Sequence, residues 1–218
     1  MNKTKNTVFL IIVILAVLLI ANKFINSGKN QITIASYDRW LSDRVDIFMG
    51  NRKEELKSDL LKFRSMPKEE QQELVDFLNN PNEIKEFFKN EIDSKISSST
   101  YELSDSDKKD DVSILKVEDS ISFSKNGIDI FRIRGSIRFR HQGSAIIDPP
   151  INGTIHVTKN LYPNLSYEMS PISLYTLSST ACATATVTLS LKDIDLNGYD
   201  IVFMGKSNEE TDFEITAW

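Results

Sequence analysis

At about residue 112 the apolar residues of this chain change their spacing, and no single kind of secondary structure accommodates both halves. Before that point Tyr37, Trp40, Leu41, Val45 and Phe48 recur every three or four positions, the repeat that gathers side chains on one face of an α-helix. After it apolar and polar residues alternate, as in Ile133, Arg134, Ile137, Arg138, Phe139 and Arg140, the repeat of a strand with one buried face.

The helical pattern covers residues 36–96 and divides into four segments. The first stops near Gly50. The second carries Leu56, Leu60 and Leu61 with Phe63 nearby. Pro67, followed by Glu69 and Glu70, opens the third, because proline suits the first helical turn and acids suit the positive end of the helix dipole. That segment presents Leu74, Phe77 and Leu78 and ends at Asn79-Asn80-Pro81. The fourth has Ile84, Phe87, Phe88, Ile92 and Ile96 on one side. These stripes are expected to pack in a core. Residues 97–111 read as an acidic loop, with Asp105, Asp107, Asp110 and Asp111 close together.

In the β part, residues 112–218, Ile121 and Phe123 lead into Lys125-Asn126-Gly127, and Asn-Gly between alternating runs predicts a tight hairpin. The return strand, residues 128–140, changes phase between Ile130 and Phe131, which predicts a bulge. Further strands are expected at 154–158, 172–177, 181–191, 199–204 and 213–218, with turns at Asp148-Pro149-Pro150 and Asn197-Gly198. Strands here do not alternate with helices, so the pairing should be antiparallel. The predicted fold is α+β over residues 36–218, a helical segment followed by one antiparallel sheet. A separate helical module ahead of a β-sandwich is the alternative.

Ahead of the domain lies an unbroken apolar run of 14 residues, Val8 to Ala21, which as a helix covers about 21 Å at 1.5 Å per residue. Counting from Thr7 to Ile25 gives 19 residues and about 28 Å, close to the roughly 30 Å of a bilayer's hydrocarbon core, with Lys23 able to snorkel. A cleaved signal needs small residues before the cut, and neither Ala21-Asn22-Lys23 nor Asn26-Ser27-Gly28 supplies them well. The expectation is therefore a cytoplasmic tail (1–6), an uncleaved transmembrane anchor (7–25), a linker (26–35) and an exported domain. That places the chain in the inner (plasma) membrane as a single-pass protein, with its N-terminus cytoplasmic and its C-terminal domain extracytoplasmic or periplasmic.

The most distinctive feature of the β part is that Arg132, Arg134, Arg138 and Arg140 share one face of their strand. Residues 112–144 carry a charge of +3 (six basic, three acidic) and residues 145–218 a charge of −6 (three basic, nine acidic). Guanidinium forks pair bidentately with carboxylate or phosphate, so this face is a candidate anion or partner surface. Cross-strand acids such as Asp119, Asp129, Asp193 or Glu214 would instead neutralise it.

The remaining constellations are weaker. Asp193, Asp195 and Asn197, with Gly198, match the start of a calcium loop, but its twelfth position is Met204, not a bidentate glutamate. Gly205-Lys206-Ser207 lacks the first glycine of a phosphate-binding loop. His141 and His156 stand in no nucleophile or metal motif, Gly143-Ser144 lacks a nucleophile elbow, and Cys182 has no second cysteine to pair with. Thr184, Thr186, Thr188 and Ser190 read as a solvent-facing strand surface. No cofactor is expected. The net charge of −5 argues against a nucleic-acid partner. The function expected is a non-enzymatic envelope protein that touches the bilayer through residues 7–25 and binds other envelope or membrane proteins, further copies of itself included, as part of a membrane-associated assembly. An anchored inhibitor or immunity protein, and a hydrolase without a recognisable motif, are the competing readings.

Overall fold

Four helices come first in a computed structural model that describes residues 31–93, 97–102, 112–191 and 194–217. They are α1 (Ile34–Ile47), α2 (Gly50–Ser65), α3 (Lys68–Asn79) and α4 (Pro81–Asp93). The anchor expected over residues 7–25 lies outside the described residues, and none of the described helices is long and apolar enough to cross a membrane. Local chemistry sets the helix boundaries. Thr33 and Ser36 form a reciprocal capping box at the start of α1. Asn80 accepts from the amides of Asn82 and Glu83 and so caps α4, whose first residue is Pro81.

Nine strands follow: β1 (Ser97–Glu102), β2 (Ser113–Lys125), β3 (Ile128–Gln142), β4 (Ala145–Asn160), β5 (Leu165–Met169), β6 (Ser173–Leu177), β7 (Thr180–Leu191), β8 (Ile194–Lys206) and β9 (Thr211–Ala217). They form two antiparallel sheets, not one. The first has the order β1-β2-β3-β4; the second has β7, β8 and β9 side by side, with β5 and β6 both pairing the free edge of β7. Pro171, which has no amide proton to donate, separates those two short edge strands, and the Ser170 hydroxyl accepts from the Thr186 amide in the gap. The α+β class holds.

The Asn126-Gly127 hairpin forms as expected, with both residues at positive φ (50° and 74°) between paired Lys125 and Ile128. Three expectations fail for identifiable reasons. Ser97–Glu102, expected in a loop, pairs as a strand with Lys116–Ile121, because the backbone can complete an edge ladder without any apolar pattern of its own. Asp148-Pro149-Pro150 lies inside β4, in an irregular stretch where Arg138 pairs Asn152 and Arg140 pairs Ile147; the turn is made instead by Gly143-Ser144, with Gly143 at φ 57°. Asn197-Gly198 lies inside β8, opposite Leu189 and Thr188.

The sheets pack face to face around one continuous apolar core that also includes Tyr37, Leu41, Phe63, Leu74, Leu78, Ile84 and Phe88 from the helices. The helices are therefore not a separate module. Phe88 lies 5.1 Å from Phe123 and 5.5 Å from Phe131 in the first sheet, and 6.3 Å from Tyr199 in the second, measured between ring centroids. The Tyr37 hydroxyl donates to the Leu161 carbonyl at 3.1 Å. Elsewhere the sheets approach too closely for side chains on both: a Cβ on Gly135 would sit 2.4 Å from Phe203 Cγ, and one on Gly205 2.5 Å from Val117 Cγ2. Gly135→Ala should therefore destabilise the fold by about 1–3 kcal/mol through overpacking, read as a lowered midpoint in thermal or urea unfolding. An unchanged midpoint would contradict this packing of the two sheets.

The candidate anion or partner face

The polar outer face of the first sheet begins with the alternation of β3. Phe131, Ile133, Gly135, Ile137 and Phe139 are buried against the second sheet, so Arg132, Arg134, Arg138 and Arg140 are directed to the opposite side. Two bulges then rearrange one end of that face. Phe123 pairs Phe131 and Ser124 pairs Asp129, which leaves Ile130 without an opposite residue, where the sequence phase changes. On β4, Arg132 pairs Lys159 and Ile133 pairs Val157, leaving Thr158 over. Each bulge shifts the alternation by one residue, and together they bring Asp129, Arg132 and Lys159 to the same side.

Helix α2 covers this end. Glu55 and Asp59, one turn apart, face the sheet: Arg132 meets Glu55 at 2.6 Å, and Lys159 meets Asp59 at 2.6 Å, Glu55 at 3.4 Å and Asp129 at 3.7 Å. Arg132 also pairs Asp129. Lys159 is only 5% exposed, so these carboxylates offset the cost of burying it. Burial pushes the Glu55 carboxyl up, but Lys159 and Arg132 together hold it below the ordinary value. Burial prevails at Asp59, whose carboxyl is raised despite its bond to Lys159.

Beyond α2 the face opens. Arg134 pairs Glu118, which also pairs Lys116. Burial raises the Glu118 carboxyl, and those two cations outweigh it, leaving the group below its usual range. Arg140 lies 3.8 Å from Asp148, with both side chains more than half exposed. Arg138 has no ion pair among the described residues. Glu55, Glu118, Ser120, Arg132, Arg134 and Thr158 surround an open, mostly polar depression of about 260 Å³ at the margin of α2.

Of the acids expected to neutralise the arginines, Asp129 does so. Asp119 faces the opposite way, into the sandwich, where it accepts from Thr211 Oγ1 at 2.9 Å and is 3% exposed; burial raises its carboxyl. Glu214 belongs to the second sheet, opposite Val202. Asp193 lies outside the described residues. Of the candidate calcium set, Asp195 and Asn197 lie along β8, opposite Ser190 and Leu189, and not in a loop. Among the described residues no group of three His, Cys, Asp or Glu side chains is placed to hold a metal ion. His156 is exposed on β4 opposite Arg134, and His141 contacts the Gly143 carbonyl through Nδ1 at 3.0 Å. Cys182 is buried on the outward side of β7, between Tyr175 and Met204 on the adjacent strands. The threonine stripe does line the outer face of the second sheet, where Thr186 Oγ1 donates to Asp200 at 2.7 Å.

No family model, curated protein or solved structure matches the chain.

Sequence reasoning missed Glu55, Asp59, Glu118 and Lys159. One signal was present: Lys159 continues the apolar positions Ile155 and Val157, and a lysine in a buried phase implies either a bulge or a buried partner. Here both occur. Lys159→Met should cost about 3–5 kcal/mol near neutral pH by leaving the Asp59, Glu55 and Asp129 carboxylates short of a cation. Burial already raises the Asp59 carboxyl, and the substitution removes the cation that opposes that rise, so the stability linked to Asp59 is present at low pH and lost as pH rises through its folded value. The deficit relative to wild type should therefore shrink as pH falls through the carboxylate range. Denaturant unfolding at several pH values checks this, and a pH-independent deficit would contradict it.

Proposed function

We propose that this chain is a single-pass protein of the cell envelope, anchored in the inner membrane by residues 7–25, whose exported α+β domain binds other proteins as a component of a membrane-associated assembly. The observation that carries the binding half of this reading is the uneven coverage of the first sheet's outer face. Helix α2 closes the end holding Asp129, Arg132 and Lys159, while Arg140, Asn152, Thr154 and His156 beyond it are exposed. A broad polar face with charged side chains suits a macromolecular partner better than a small substrate, which binds best where a concave pocket buries most of its surface. The membrane half of the reading rests on the apolar run from Val8 to Ala21, next to a domain that folds around its own core.

In this reading the domain is a binding module and not an enzyme, so substitution of His141 or His156 should leave its partners bound. Fractionation of full-length protein carrying a C-terminal tag, combined with protease treatment of spheroplasts, tests the anchor and its orientation. The expected result is intact protein in the membrane fraction with the tag digested from outside. A shortened soluble product, or a tag protected until the membrane is opened, would overturn the reading.

A further inference from the structure

The four arginines of β3 are not equivalent. Arg132 is held by Glu55 and Asp129, Arg134 by Glu118, and Arg140 by a long contact to Asp148. Arg138 alone has neither an ion pair nor a hydrogen bond to any described residue, and its Nε is buried without a partner. A guanidinium offers five N–H donors in a fixed plane, and a buried donor left unbonded is destabilising until something bonds it.

The surroundings of Arg138 favour a negatively charged ligand. Directly across on β2 stands Lys116, and directly across on β4 stands Asn152. Each is one strand spacing away, about 4.8 Å. In the next row stand Glu118 on β2, which is taken up by Lys116 and Arg134, and Ser136 and Thr154, which share a hydrogen bond of 2.9 Å. Lys116, Arg134, Arg138 and Arg140 share the ion pairs of Glu118 and Asp148, and Glu102 stands opposite Lys116 on β1, so four cations meet three carboxylates and this end of the face retains one positive charge. Along β3, Arg138 and Arg140 are two residues apart, a spacing of about 6.7 Å, and the side chains at positions i and i+2 of any extended peptide have the same spacing.

We infer that the Arg138 end of the first sheet is a docking site for an extended acidic segment of a partner protein, with carboxylates at alternate positions meeting Arg138 and Arg140. Bidentate pairing to Arg138, with Lys116 and Asn152 as flanking donors, orients the first carboxylate. Arg140, shared with Asp148, takes the second less strongly. This deepens the partner-binding reading above by naming the partner's chemistry, and it does not depend on the anchor.

The test uses the full chain in detergent micelles, observing the Nε–Hε resonances of its eight arginines. The probes are acetyl-Ser-Glu-Ser-Glu-Ser-amide, its isomer with adjacent glutamates, and inorganic phosphate. The first peptide should move the Arg138 resonance saturably and bind several-fold more tightly than the isomer or phosphate. Arg138→Gln should weaken it about tenfold or more, Arg138→Lys should recover only part of that loss, and Arg140→Gln should have a smaller effect. Unchanged binding by Arg138→Gln, equal binding of the isomers, or phosphate binding as tightly as the peptide would each overturn the inference. Crosslinking in membranes separates it from the broader reading. If wild type and Arg138→Gln capture the same proteins, the assembly reading stands and this site falls; if neither captures any while the peptide response persists, the reverse holds.

Discussion

A sandwich of two sheets is open at its ends, and the fold described here depends on what fills the end where Phe123, Phe131, Val187 and Tyr199 converge. Phe88 of α4 fills it, 2% exposed, with ring contacts to both sheets and to Tyr162. A buried phenylalanine of this kind contributes on the order of 3–5 kcal/mol when compared with alanine. Through Phe77 and Phe87 the same cluster continues into α3 and the outer side of α4. Tyr37 carries it into α1, edge-on to Phe63 and hydrogen-bonded to Leu161. The helices are thus part of the sandwich's core, and the position of α2 follows from that attachment.

Because α2 is fixed in this way, the outer face of the first sheet has two ends with different physics. At the covered end, two bulges and a helix bring three carboxylates and two cations into mutual contact, and the buried Lys159 is paired within that group. At the open end the same alternation of β3 presents arginines that the protein itself balances incompletely. The arginine stripe is continuous in sequence, yet it divides into a structural half and a binding half according to what lies above it.

Much of this was legible in the sequence where local rules and tertiary packing agree. The four helices, the Asn126-Gly127 hairpin and the bulge at Ile130 all follow from periodicity and turn chemistry, and the core confirms each of them. The misreadings share a different cause. Ser97–Glu102 is mostly polar in sequence and completes the ladder at the edge of the first sheet. Asn197-Gly198 and Asp148-Pro149-Pro150 carry turn signals, but long neighbouring strands absorb them as irregularities within β8 and β4. Whether alternating strands make one sheet or two depends on the facing surfaces, where Gly135 and Gly205 permit close approach, and no local pattern announces that. At the site, the arginines were visible because they recur at a fixed spacing. Of their partners Asp129, three residues from Arg132, was also visible, while Glu55 was not, because it comes from a helix far away in sequence.

The central claim is that helices and sandwich form one cooperative unit joined through Phe88. Hydrogen exchange on the full chain, wild type beside Phe88→Ala, tests it most directly. If the claim holds, amides in α2 and α4 and those in β2, β3, β7 and β8 lose protection by the same factor, since they open together. Helices that exchange faster while the strands keep wild-type protection would show two independent units and contradict the account.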